Sequence, residues 1–306
     1  MVKSAEGRRK IRLSTGDKLF QAVIIILMSI VLFITLYPLI FIVSASFSDP
    51  TYVNSGAVWL LPRGVTLEGY QRVFRNSDIW TGYRNTLLYT FFGTLINLAI
   101  TIPAAYALSD PSLKGRGAIS KIMIFTMFFS GGLIPTYMLV QNLHMTNTVW
   151  ALLIPNAVNT TNLIVTRTFF SSSIPQELKD AAEIDGCSTY RLFFSIVLPL
   201  SGAIIAVMAL FYGIGHWNAY FNAMIYLNNR NLFPLQLFLQ EILLTQQINM
   251  DRSVSVSEME SIAVQQRLAE MVKYVVIVVS TLPVLVIYPF MQKHFVRGVM
   301  IGSIKG

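Results

Sequence analysis

The chain has 306 residues, 54% of them hydrophobic and only 12% charged, with a mean hydropathy of +0.58. A soluble globular domain carries about twice that share of charge, so the composition points away from one and towards a membrane protein. The single cysteine, Cys187, leaves no intrachain disulfide and suggests no metal site.

The charges are segregated. Five tracts contain no Asp, Glu, Lys or Arg: Leu19–Ser48, Asn85–Ser109, Ile122–Thr166, Leu192–Asn229 and Tyr274–Gln292. About 20 residues of helix cross a bilayer. The second tract is sized for one span, and the first and last hold one each. Ile122–Thr166 accommodates two with a hairpin between, and Leu192–Asn229 holds one. The expected fold is therefore all-α, a polytopic membrane protein with six transmembrane helices between residues 19 and 292.

With the N-terminus inside, fifteen of the 23 Lys and Arg fall on the inner segments, whereas the acids divide almost evenly. That asymmetry predicts cytoplasmic N- and C-termini in a cell membrane. The whole formal charge of +8 then faces the anionic leaflet, and no nucleic-acid partner is needed to explain it.

In chain order, residues 1–18 form a basic cytoplasmic tail that anchors the topology. Span one covers about Leu19–Phe47, longer than the 7–15 apolar residues of a secretory signal core, and is read as uncleaved. Residues 48–83 make an external loop rich in turn formers and aromatics. Span two, about Asn85–Ala107, carries Asn97, Thr101 and Pro103, which need internal partners or a cavity. Span three, about Ile122–Val140, contains Ser130-Gly131-Gly132 and Pro135, a backbone break tolerated only inside protein or beside water. Span four, about Trp150–Arg167, carries Asn156, Asn159 and Asn162 among other polar residues, so that face should point into the bundle or a pathway.

The interval 169–200 is a charged inner loop containing the stretch Glu177–Pro199. Glu177, Asp180 and Glu183 recur every three residues, so a helix sets them on one face, with Asp185 following. Pro175 suits a first helical position and Glu177 the positive end of the helix dipole. Gly186 is placed to end the helix in a left-handed cap. Ala181-Ala182 flank the acidic face, and a second apolar run closes at Pro199.

Span five, about Gly202–Leu227, ends in His216-Trp217-Asn218-Ala219-Tyr220-Phe221-Asn222. Aromatics and amides suit sugar rings, and equally an interfacial belt with amide bonds between helices. Both readings of His216, Trp217, Asn218, Tyr220 and Asn222 stay open. Residues 228–271 form a second external loop, span six covers Tyr274–Gln292, and residues 293–306 are a Gly-rich cytoplasmic tail ending Lys305-Gly306.

The central loop resembles the EAA loop of ABC importer permeases. Asp180-Ala181-Ala182 stands for the Glu-Ala-Ala triplet, with Gly186 for the glycine and Ile196-x-Leu198-Pro199 for its end. The departure is Asp180 for Glu, which keeps the charge and shortens the reach. The tail Val299-Met300-Ile301-Gly302-Ser303-Ile304-Lys305-Gly306 is similar to that of MalG-type carbohydrate permeases, closest to the LplC/YtcP-like branch, which is linked to acidic polysaccharide fragments. The resemblance implies a type I ABC importer permease fold. It also implies a coupling loop (Glu177, Asp180, Ala181, Ala182, Glu183, Asp185, Gly186) docking on a cytoplasmic ATPase dimer, with Lys305 and Gly306 reaching between the ATPase subunits. A second permease, an extracellular solute-binding protein and an oligosaccharide substrate complete the implied set of partners, with surrounding membrane lipid.

The sequence contains no G-x-x-x-x-G-K-[ST], so ATP and Mg are expected on the partner ATPase and not on this chain, which is read as a transport subunit without catalytic residues. The three histidines lie in separate segments, and the spans lack embedded acids and bases of the kind secondary transporters keep near the midplane. The substrate pathway is assigned to Asn156, Asn159, Asn162, His216, Trp217, Asn218, Tyr220 and Asn222. A permease for peptides or polyamines, or a membrane protein outside the ABC class, are the competing readings.

Overall fold

The computed structural model describes residues 14–250, 267, 269–287 and 289, with the side chains of 245–250 excepted. Among them every regular element is a helix. Helix α1 (Thr15–Ser46) opens on a reciprocal cap: the Ser14 hydroxyl accepts the Asp17 N–H, and the Asp17 carboxylate accepts the Ser14 N–H. Of its 32 residues only Ser44, Ala45 and Ser46 are buried. A helix this apolar on every side is stable when lipid or another chain covers it.

Short helices α2 (Pro50–Asn54) and α3 (Glu68–Arg75) follow in the predicted external loop. Helix α4 (Ser77–Ser109) is the central element. Its 33 residues are roughly 50 Å long at 1.5 Å per residue. The predicted second span therefore begins eight residues early, and Asp78 at its start is accommodated by an ion pair to Arg230 at 2.8 Å. Glycines let neighbours approach α4 closely: a Cβ on Gly82 would stand 2.9 Å from the Leu235 Cα.

The expected third span is two helices, α5 (Arg116–Phe128) and α6 (Leu133–Asn142), bent by 114°. The Ser130-Gly131-Gly132 break is where they part, with Gly132 at φ +85°. The expected fourth span is also in two pieces, α7 (Trp150–Leu153) and α8 (Thr160–Ser173). Pro155 lies in the non-helical stretch between them, consistent with its missing N–H.

The charged inner loop folds as α9 (Gln176–Ile184), α10 (Thr189–Leu192), a π turn over Phe193–Val197 and α11 (Leu198–Leu200). The wider turn lies just before Pro199, which cannot donate to the preceding turn. The chain then bends by 77° into α12 (Gly202–Trp217). The expected fifth span stops there, and α13 (Phe221–Tyr226) resumes after a break at 218–220. A 3₁₀ turn (Arg230–Leu232), α14 (Leu235–Met250) and α15 (Ala269–Ile287) are the last of the described elements.

Among the described residues three helices, α1, α4 and α15, are long and apolar enough to cross a membrane, and there are up to five crossings if each bent pair counts as one. The protein is thus an all-α, multi-pass membrane protein. Two apolar clusters bracket α4. At one end Val73, Ile79, Leu235, Leu239, Val275, Val276 and Val279 pack together, and at the other Ile102, Ala105, Leu108, Leu163, Phe170, Ile174, Phe193 and Val197. The second cluster supports α9.

Candidate functional site

The α9 surface and a polar cavity at mid-height of α4 hold most of the residues singled out above. Helix α9 begins one residue later than expected, with Pro175 as its N-cap (φ −62°, ψ 142°) and Glu177 in its first turn. Leu178 packs on the Phe170 cluster and Ala182 is buried, whereas Glu177, Asp180, Ala181 and Glu183 are exposed. Of the two alanines, one is core and one surface. Lys179 lies over the Tyr106 ring at 5.6 Å. Nearby, the Asp110 carboxyl is held below its usual range, first by accepting the Ser112 N–H and also by the charges of Lys179 and Arg116.

The C-terminus of α9 closes in a Schellman motif. Gly186 has φ +69°, its N–H donates to the Glu183 carbonyl at 3.0 Å, and the Cys187 N–H donates to the Ala182 carbonyl at 2.9 Å. Asp185 is the exposed C-cap residue. Just beyond the acids, Ile184 is 87% and Tyr190 81% exposed. The tip is thus acidic with two bare apolar side chains. Lys305 and Gly306 lie outside the described residues.

The polar cavity has a volume of about 350 Å³, within the range of small-ligand pockets. Asn156, Asn159 and Asn162 reach it from the α7–α8 break and α8, and His216 and Asn222 from α12 and α13; Tyr89 and Tyr212 also line it. Its lining has no Asp, Glu, Lys or Arg. The broken backbone beside it is satisfied by side chains of neighbouring helices. Asn97, fully buried on α4, donates to the carbonyls of Asn156 and Ala157, each at 2.8 Å. The Tyr212 hydroxyl accepts the Asn159 N–H at 3.4 Å and pairs with Thr101 at 2.8 Å. The Asn159 side chain accepts the Asn162 N–H and starts α8. Non-helical backbone at membrane depth needs such partners.

Three candidates fall elsewhere. Trp217 is buried, donates its indole N–H to the Ser280 carbonyl at 3.1 Å, and lines a separate apolar cavity between α4, α12 and α15. Asn218 donates to the Ile214 carbonyl at the end of α12, and exposed Tyr220 precedes α13; neither lines the polar cavity. Replacing Trp217 by Phe removes one buried hydrogen bond to a carbonyl that keeps its helical donor, which costs about 0.5–1.5 kcal/mol. The expected result is faster thermal inactivation in detergent; a Trp217→Phe protein as durable as the wild type would show that the bond to Ser280 adds nothing. The sequence flagged Asn97 only as needing a partner. Tyr89 and Tyr212 gave no signal, because their partners Leu232 and Thr101 lie more than a hundred residues away.

Similarities to known proteins cover most of the chain. Residues 79–301 match the family described as binding-protein-dependent transport system inner membrane component. The chain belongs to this family. The permease is 37% identical to the protein LplC of Bacillus subtilis (strain 168) over 89% of its own length and 90% of the relative. It is also 37% identical to the polygalacturonan/rhamnogalacturonan transport system permease protein YtcP of the same organism, over 95% and 99%. A chain in the crystal structure of a bacterial ABC transporter involved in the import of the acidic polysaccharide alginate superposes with a TM-score of 0.80. It is 34% identical, with 92% of the permease and 99% of that chain covered. The permease thus has the ABC importer permease fold.

Proposed function

We propose that the permease is one of two transmembrane subunits of an ATP-driven importer of oligosaccharides, with fragments of acidic polysaccharides as the favoured substrates. The observation that carries this reading is the joint arrangement of an acidic, glycine-capped α9 and an uncharged amide-lined cavity on the same helix, α4. Relatives that import polygalacturonan or alginate by name support the substrate class. Readings as a peptide or polyamine permease, or as a protein outside the ABC class, lack such support.

In this reading the N- and C-termini are cytoplasmic, residues 19–292 cross the membrane six times, and ATP and Mg sit on a partner ATPase dimer. The ATPases close on ATP and grip α9 through Glu177, Asp180, Glu183 and the exposed tip, while the tail with Lys305 and Gly306 reaches between them. The state with α9 drawn together is favoured by that differential binding. The supporting cluster of Phe170, Ile174, Phe193 and Val197 links α9 to α4 and α8, so movement of α9 is carried to the walls of the cavity. An extracellular binding protein delivers the sugar to the opened side. Amides and a histidine suit hydroxyl groups; carboxylates on the substrate would be met by the second permease. Expression with the neighbouring transport genes, followed by purification in mild detergent, should bring down a second permease and an ATPase. Purification of the chain alone, with transport intact, would contradict the reading.

A further inference from the structure

We infer that Asn97 is a positioning residue that fixes His216 as a hydrogen-bond acceptor for substrate hydroxyls in the polar cavity, an inference that rests on sugar import as proposed above. Asn97 is 0% exposed and sits on α4. Its nitrogen lies 2.8 Å from each of two carbonyl oxygens, those of Asn156 and Ala157. Carbonyls only accept, so the amide nitrogen must face them, and the orientation of the amide is settled by its partners. The remaining end, Oδ1, lies 2.7 Å from the His216 Nε2. An amide oxygen also only accepts. Nε2 must therefore carry the hydrogen, and in a neutral imidazole the other nitrogen, Nδ1, is then an acceptor.

Gly93 permits this placement. A Cβ there would stand 2.4 Å from Nε2 and 2.5 Å from Cε1 of His216, so the ring rests against bare α4 backbone. With Cδ2 at 2.8 Å as well, it is the Nε2 end of the ring that faces α4, and no hydrogen bond to Nδ1 is present among the described residues. The side chain lines a cavity whose other polar groups are amides and tyrosine hydroxyls, with no charge among them. A single acceptor with a fixed proton selects a donor. A sugar hydroxyl can donate to Nδ1 and accept from a neighbouring amide N–H, whereas an ionised carboxylate would bring only lone pairs to it. The cavity therefore grips the hydroxyl edge of a sugar, acidic or neutral, and turns any carboxylate away from His216.

Two near-isosteric replacements separate the two ring nitrogens. His216→Gln sets an amide nitrogen where Nε2 was, keeping the link to Asn97 and leaving no acceptor at the place of Nδ1. His216→Asn sets a polar atom where Nδ1 was and loses the link. In proteoliposomes holding the complete transporter and its binding protein, uptake of a galacturonate trimer is measured. His216→Gln should raise KM about three- to tenfold, the worth of one neutral hydrogen bond, with unchanged thermal inactivation. His216→Asn should inactivate faster and raise KM less. A wild-type KM in His216→Gln overturns the inference while leaving sugar import intact; a wild-type transporter that imports no oligosaccharide overturns both. Nitrogen NMR of histidine-labelled transporter, assigned by the signal lost in His216→Gln, should show Nε2 protonated and Nδ1 bare. A protonated Nδ1 would equally sink the inference.

Discussion

Replacing Phe170 by Ala is expected to cost the permease about 3–5 kcal/mol of stability, the range for removing a fully buried aromatic ring. Phe170 is 0% exposed at the centre of the cluster that carries α9. Its ring meets Tyr106 of α4 edge-on at 5.6 Å, and Phe193 and Val197 of the π turn close the cluster from beyond α9. Losing the ring loosens both attachments of α9 at once, so ATP-driven uptake should fall more than the amount of folded protein does. Phe194, one residue from Phe193 but 60% exposed, is the control, and its replacement by Ala should cost less than about 1 kcal/mol. Thermal inactivation in detergent checks both. A Phe170→Ala protein as durable as the wild type would mean that α9 is not held through this cluster.

The second large effect is expected at Gly186. Its φ of +69° lies where a β-branched residue is a strained outlier, and no atom lies within 4 Å of where a Cβ would stand. The penalty of a substitution is therefore conformational, about 1–2 kcal/mol, and not a clash. Gly186→Val should open the Schellman turn, misdirect the chain from α9 into α10, and remove most ATP-dependent uptake while the protein still assembles in the membrane. Gly186→Asn should keep most of the uptake, because Asn tolerates the left-handed region. If the two variants behave alike, the cap geometry is not what couples α9.

These two positions differ in how visible they are in the sequence. Gly186 was legible because acids at three-residue spacing and a glycine are local signals, and α9 and its cap form where those signals lie. The charge-free tracts likewise marked α1, α4 and α15, since membrane depth fixes the length of an apolar helix. Breaks were legible as positions but not as angles. Ser130-Gly131-Gly132 and Pro155 say that a helix stops, while the 114° turn between α5 and α6 depends on what the next helix packs against. Side-chain direction was the hardest to read. His216 and Trp217 are adjacent, yet a helix turns about 100° per residue, so one meets Asn97 and the polar cavity and the other meets Ser280. Which of the two faces the cavity depends on the rotation of α12 about its axis, set by its packing against α4. The contact between Asn97 and His216 spans 119 residues and leaves no trace in either local sequence.

The central claim is that this permease moves oligosaccharides at the expense of ATP hydrolysed by a partner. The most direct measurement is uptake of a galacturonate trimer by proteoliposomes that hold the permease, its second permease and their ATPase, with binding protein outside and ATP enclosed. Uptake that requires enclosed ATP, and that stops when the ATPase is replaced by a hydrolysis-deficient variant, is the predicted result. Uptake that continues without ATP, or that is driven by an ion gradient alone, would contradict it.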